Sequence, residues 1–295
     1  MNIAIEPGTY VVAVSGGVDS VALLHALSRR PDLKLVVAHY DHGIRHDSHL
    51  ERKHVQQLAR QYRLPFVYDM GSLGSDASED EARRARYAFL DRVRATSGAR
   101  GVITAHHKND VLETAVLQLL RGTGRRGLSA LRSRDVIHRP LLGMSKLDIQ
   151  DYARSNGLVW REDSTNQDTR YLRNHVRHAI VPRMSKNQEA LLHMIIDRMH
   201  EVNHEIDQLL DLTLHMQPGK SSLSRSWFTG LPHSVAMEVM AHWLRRHDVR
   251  SFDRKHLYRL VVGAKTLAPG QQIDINKEYV LKITKNLLAL MQRDR

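Results

Sequence analysis

The chain has 295 residues, with 44 lysines and arginines against 32 acidic residues, a formal charge of +12 with histidines neutral, and no cysteine. That length accommodates one large domain and one smaller one, and the missing thiols exclude disulfides, thiolate metal centres and sulfur relay through protein cysteines. The basic excess points to a polyanionic partner, nucleic acid first; no long apolar run or signal-like N-terminus suggests a membrane, and a reducing, cytoplasmic setting is expected.

The first element is an apolar, β-favouring run over residues 10–14. Gly16-Gly17 breaks it, and apolar residues at helical spacing follow (Val18, Val21, Ala22, Leu24, Leu27). Strand, tight loop and helix in that order bring backbone N–H groups and the positive end of a helix to one spot, which suits a phosphate chain. Ser15 and Ser20 add hydroxyls, whereas the Asp19 carboxylate repels phosphate unless Mg²⁺ lies between them. An ordinary turn capped by Asp19 or Ser20 is the plain alternative. Neither three spaced glycines nor a Gly-Lys-Ser/Thr ending is present, so the loop is not a dinucleotide fingerprint or a P-loop.

A second strand is expected over 33–39, running into Asp41-His42-Gly43, then a helix over 48–62 and a strand over 65–70. Repetition of strand and helix argues for a parallel sheet wrapped by helices, with ligands beyond the carboxyl ends of the strands, so Asp41 and the glycine loop are expected to be neighbours. Taken alone, Asp41-His42-Gly43 reads equally as an Asp-stabilised turn. Residues 71–78 form a small-residue loop before a helix that opens at Glu79-Asp80-Glu81 and carries Arg83 and Arg86 on one side. Those arginines read as a solvated face or as phosphate contacts.

The next cluster is a strand from Gly101 opening onto a helix, Thr104-Ala105-His106-His107-Lys108-Asn109-Asp110, with Glu113 one turn beyond Asp110. Two carboxylates on one helical face suit an ammonium group or a metal ion; with His39, Asp41 and His42 elsewhere, a hydrolytic metal centre is the competing reading. Arg121-Gly122-Thr123-Gly124-Arg125-Arg126-Gly127 then interleaves glycines with guanidinium groups, as an anion site or a flexible connector.

These residues resemble those of the tRNA(Ile)-lysidine synthetases, within the N-type ATP pyrophosphatases. The resemblance runs through Ser15 to Ser20, Asp41-His42-Gly43, Glu79 with Ala82-Arg83 and Arg86-Tyr87, and Ala105-His106-His107 with Asp110 and Glu113-Thr114. It continues through Arg121 to Leu128, Arg139-Pro140-Leu141-Leu142, Glu162 to Asn166, and Tyr171 with Arg173-Asn174, Arg177 and Pro182. Asn109 departs from the acid the family often has there, and the absence of cysteine separates the chain from thiolating relatives of the same loop type.

The resemblance implies an adenine-nucleotide alpha-hydrolase-like fold in which ATP adenylates the C2 oxygen of the wobble cytidine of an isoleucine tRNA. Free L-lysine then displaces AMP to give lysidine. ATP and Mg²⁺ are the expected cofactors, held by Ser15, Gly16, Gly17, Val18, Asp19 and Ser20, with Asp19 on the metal. Asp41, His106 and Arg121 join Asp19 as expected catalytic groups, Asp110 and Glu113 as lysine ligands, and Arg83, Arg86, Arg173, Arg177, Arg245 and Arg246 as tRNA contacts. tRNA(Ile) and free lysine are the expected partners, with a homodimer as an option and no membrane.

The expected organisation is a catalytic domain over 1–185, a helical linker over 186–216 and a small α+β tRNA-binding domain over 217–295. A long amphipathic helix over 188–214, a break at Pro218-Gly219, helices over 233–247 and 253–263, and strands over 272–275 and 279–283 support this division. Arg250, Arg254 and Lys255 are further basic residues there, and a chain ending at residue 295 is expected to be short for the family's additional C-terminal domain.

Overall fold

A computed structural model describes residues 1, 3–41, 48–71, 79–133, 136–161, 172–249 and 252–293, with the backbone alone at 48 and 79. His42-Gly43, the 72–78 loop, Glu162 to Asn166, Tyr171 and Arg250 therefore lie outside the described residues. The chain divides into two compact units, Met1–Met199 and His200–Arg295.

The first unit is built on a parallel sheet of β1 (Gly8–Ala13), β2 (Leu33–Asp41), β3 (Phe66–Met70), β4 (Gly101–Ile103) and β5 (Ile137–His138), in the order β3-β2-β1-β4-β5. β1 is central, with Val11 opposite Val36 on one side and Val102 on the other. Its alternating residues feed two cores, as a strand buried on both faces requires. Tyr10, Val12 and Val14 join α1 (Val18–Ser28), α2 (Ser48–Gln61) and α6 (Lys146–Ser155); Val11 and Ala38 face Phe89, Leu90 and Val93 of α3 (Glu79–Thr96). Strand order reverses at β1, with β2 and β3 to one side and β4 and β5 to the other, so a crevice opens where β1 and β4 end.

α4 (Lys108–Leu120) follows β4, and the short α5 (Arg125–Leu128) follows the glycine-arginine segment. α7 (Leu172–His175) runs into a π-turn (Val176–Ile180) and a 3₁₀ turn (Val181–Arg183), where Pro182 sits at the start and needs no N–H partner. The segment expected as a linker is a single helix, α8 (Lys186–His215), whose residues are shared between the two units. Ile196 and Leu192 pack on Val111, Leu112, Ala115 and Leu131 of the first unit.

The second unit holds an antiparallel sheet, β6 (Ser222–Ser224), β7 (Gln272–Asp274), β8 (Tyr279–Ile283) and β9 (Leu287–Gln292), in the order β6-β9-β8-β7. α9 (Arg225–Gly230), α10 (His233–Arg246) and α11 (Arg254–Thr266) cover it around Phe228, Met240, Trp243, Leu260, Leu281 and Leu288, joined by Leu210 and Leu214 of α8. Trp243 buries its ring and donates Nε1–H to the Lys220 carbonyl at 3.0 Å, which settles the indole's one polar atom. The parallel sheet and the α+β module match expectation; α6, β5, β6, α9 and β9 were not expected.

Candidate functional site

The loop between β1 and α1 lies at the crevice. Gly16 takes φ +98°, a left-handed conformation that strains any side chain, and a Cβ there would sit 3.5 Å from Val55. Ser20 turns its hydroxyl inward: Oγ accepts from the N–H groups of Ser15 and Gly16 at 3.2 Å each and donates to the Gly17 carbonyl at 2.9 Å. Ser20 thus braces the loop, while Ser15 is exposed. Gly17 is an extended N-cap with no side-chain cap, so the first N–H groups of α1, from Val18 onward, face the crevice uncapped.

Three helices begin at this place. Asp19 lies in the first turn of α1, Asp110 in that of α4, and Lys146 at the first position of α6. Lys146 Nζ bonds both Asp19 oxygens, at 2.8 and 2.7 Å, and its backbone N–H donates to Asn109 Oδ1 at 3.0 Å. His107 Nε2 lies 3.8 Å from Asp19 and 3.4 Å from Asp110, whose Oδ2 accepts the His107 N–H at 2.9 Å. Burial would raise the Asp110 pKa, but the imidazoles of His107 and His106 and the His107 N–H outweigh it and hold the carboxyl below its usual range.

Deeper along α4, Glu113 accepts a two-pronged ion pair from Arg177, with Nε and a terminal nitrogen each at 2.8 Å. The same guanidinium reaches Asp110 at 3.3 Å, and Arg173 approaches Glu113 at 3.8 Å and Thr114 Oγ1 at 3.5 Å. The expected lysine ligands are therefore brought together, already matched by arginine. Arg173 and Arg177, expected on RNA, face these acids instead.

Just after β4, His106 Nδ1 is 2.8 Å from Thr104 Oγ1. Burial pushes the His106 pKa down to about 3; Asp110 opposes that shift and Arg86, Arg139 and Arg83 reinforce it. Tyr87 sits among the same guanidiniums, with Arg83 4.9 Å and Arg86 5.3 Å from its ring and Arg139 3.3 Å from its hydroxyl. Burial would raise the Tyr87 pKa, but Arg86, Arg83 and Arg139 outweigh it and bring it below the ordinary value. Arg86 Nε is sealed from solvent without a hydrogen-bond partner among the described residues. Asp41 is buried at the end of β2, and His39 beside it bonds the Val14 carbonyl at 2.8 Å. Arg121, expected among the catalytic groups, is not brought to the crevice: it is exposed at the C-cap of α4, about 16 Å along the helix from Asp110, without a side-chain partner among the described residues.

The buried imidazoles set a pH dependence. His106 and His39 have lowered pKa values in the fold, chiefly through burial. Unfolded, they take up protons below about pH 6.5, so the unfolded state binds more protons there and stability falls as pH drops from 6.5 toward 3. His106→Gln is expected to flatten the dependence of urea-unfolding free energy on pH between about 7.5 and 5. A slope equal to that of the parent protein would remove His106 as a source.

In the second unit, Arg245 stacks over Phe252 at 5.3 Å and Arg246 bonds Asp211 at 2.9 Å, whereas Arg254 and Lys255 are exposed. Among the described residues no group of three or more His, Asp or Glu is placed to hold a metal ion; His42, part of the hydrolytic-centre reading, lies outside them.

A doubly wound parallel sheet with a braced Ser-Gly-Gly loop and an uncapped helix at its crevice is the architecture of an α/β domain of the PP-loop class. The chain belongs to the PP-loop domain family, which matches residues 4–184. Within that family it is 39% identical over 221 residues to the tRNA(Ile)-lysidine synthase of Thermotoga sp. (strain RQ2), covering 71% of this chain and 53% of that protein. It is 33% identical over 288 residues to the tRNA(Ile)-lysidine synthase of Solibacter usitatus (strain Ellin6076), covering 91% and 65%. The chain thus spans about half to two thirds of the length of these relatives. Among solved structures, the U34-tRNA thiolase NcsA from Methanococcus maripaludis shares the fold, with a TM-score of 0.55, 14% identity and coverage of 67% of this chain and 73% of that one.

Lys146 did not stand out in the sequence. A signal was there: Ser145 and Asp148 mark a helix start, and a cation at the first position of a helix opposes the helix dipole unless an anion faces it.

Proposed function

We propose that the chain is an ATP-dependent ligase that joins L-lysine to C2 of the wobble cytidine of a tRNA(Ile) with a CAU anticodon, releasing AMP and pyrophosphate. The observation that carries this reading is the joining of two sites: the Ser15–Ser20 loop with Asp19, and within the same crevice a second pair of carboxylates on α4. The similarity to relatives named tRNA(Ile)-lysidine synthase supports the same reading.

In the first half-reaction the C2 oxygen attacks the α-phosphorus and pyrophosphate leaves. The N–H groups at the start of α1 supply positive potential for that charge. Asp19 is a hard oxygen donor in the first turn behind the glycine loop, and Mg²⁺ is typically held by one or two carboxylates together with substrate phosphates. Asp19 therefore fits as the residue that holds the ion, whose contribution is to neutralise the phosphate chain.

In the second half-reaction the lysine ε-amine attacks C2 and AMP departs. Asp110 and Glu113 are assigned to an ammonium group of lysine, which would join the cluster that they form with Arg177. His106, uncharged at neutral pH, accepts a hydrogen bond from an approaching amine without repelling it, and Asp41 borders the same edge of the sheet.

The test is stoichiometry: AMP and pyrophosphate should appear only with ATP, lysine and the matching tRNA together. Turnover with ammonia or glutamine and no RNA would replace this reading with a small-molecule amide ligase. For RNA binding, the exposed pair on α11 is the place to look. Arg254→Glu with Lys255→Glu is expected to weaken tRNA binding and lower the slope of log affinity against log salt by about 1 for each phosphate no longer neutralised. An unchanged slope in a filter-binding titration would remove α11 from the interface.

A further inference from the structure

We propose that Lys146 is an exchangeable counter-ion: it neutralises Asp19 while the loop is empty and passes to the phosphate chain when a divalent ion takes the carboxylate. The inference rests on the nucleotide reading above and assigns a role to a residue outside the glycine loop.

The argument begins with charge. The first turns of α1 and α6 both present positive dipole ends here, and Lys146 adds a full positive charge at the first position of α6, where cations are disfavoured. Such a residue requires an anion. In this structure the anion is Asp19, gripped through both oxygens at 2.8 and 2.7 Å. Both side chains are partly exposed, 36% for Lys146 and 25% for Asp19, so water competes for the pair and it is readily exchanged.

The backbone of Lys146, in contrast, is fixed. Its N–H is held by Asn109 at 3.0 Å, Ser145 and Asp148 cap the helix reciprocally, and the Lys108 N–H bonds the Met144 carbonyl at 2.9 Å. A flexible four-carbon stem on an anchored backbone lets a compact ammonium group move between two neighbouring anions without moving the helix. Phosphate at the start of α1 would be the second anion, and a divalent ion on Asp19 would release the first. The other group near Asp19, His107 at 3.8 Å, lies beyond hydrogen-bond distance and does not replace the ammonium.

The experiment compares the full chain with Lys146→Gln and Lys146→Arg in three titrations: manganous ion alone, read by electron paramagnetic resonance; ATP with Mg²⁺, read by calorimetry; and thermal unfolding without ligand. Lys146→Gln should bind manganous ion roughly tenfold more tightly than the parent, because no ammonium competes for Asp19, and ATP with Mg²⁺ roughly tenfold more weakly. Lys146→Arg, which keeps the charge, should restore most of the nucleotide affinity. Unchanged metal and nucleotide affinities in Lys146→Gln, with only a lower melting temperature, would make Lys146 a structural tie between α1 and α6 and overturn the proposal. Parent protein that binds no ATP would remove the nucleotide reading itself; parent binding matched by both variants removes this inference alone.

Discussion

Asp19→Asn is expected to slow tRNA-dependent AMP release by roughly 10²- to 10³-fold, the usual cost of removing one preorganised group that stabilises developing charge. The substitution preserves size and shape, and Asp19 is only partly buried, so the fold should persist. Its effect follows from place: the carboxylate stands in the first turn behind Gly16 and Gly17, at the end of a helix that otherwise carries positive potential alone. Loss of the carboxylate also leaves Lys146 without its partner, so ATP should still bind, with the loss concentrated in turnover. Single-turnover AMP release, with circular dichroism to confirm folding, checks this; a rate within about twofold of the parent would take Asp19 out of the chemistry.

Arg177→Ala is expected to be the most destabilising single change at the site. Glu113 is 4% exposed and its two oxygens are held by Arg177, so truncation removes both hydrogen bonds and leaves the buried carboxylate only the more distant Arg173, at 3.8 Å. Removing one partner of such a pair costs about 3–5 kcal/mol. Urea unfolding should report that loss, and adding Glu113→Gln to Arg177→Ala should recover more than half of it by removing the stranded charge. Arg177→Lys should fall between, because an ammonium cannot reproduce the two parallel bonds. A loss below about 1 kcal/mol for Arg177→Ala would show that water already shares the pair.

The elements legible in sequence were those with a strong pattern. Of the apolar run over residues 10–14, residues 10–13 lie in the central strand, apolar because both faces of β1 are covered, and the glycines after it admit one sharp loop. β5 has two residues, too few for any periodicity. β9 contains Leu287-Leu288-Ala289-Leu290, helix-favouring types whose alternate burial emerges only from pairing with β6 and β8. The site divides similarly. Asp110 and Glu113 share a face by helical spacing alone, but their partner Arg177 lies 64 residues beyond Glu113 and nothing local announces it. Net positive charge, too, is silent on commitment. Arg246 is tied to Asp211, Arg245 stacks on Phe252, and Arg83 and Arg86 enclose Tyr87, leaving Arg254 and Lys255 exposed on α11.

The central claim is that the early glycine loop grips ATP so that a nucleobase, and no small acid, receives the adenylate. Incubation with isotope-labelled lysine, ATP and the CAU-anticodon isoleucine tRNA, followed by nuclease digestion and nucleoside mass spectrometry, measures it directly. The account predicts one labelled lysine on the wobble cytidine, dependent on ATP and formed far more slowly with Asp19→Asn. Unmodified cytidine at that position, with ATP consumed regardless of RNA, would contradict it.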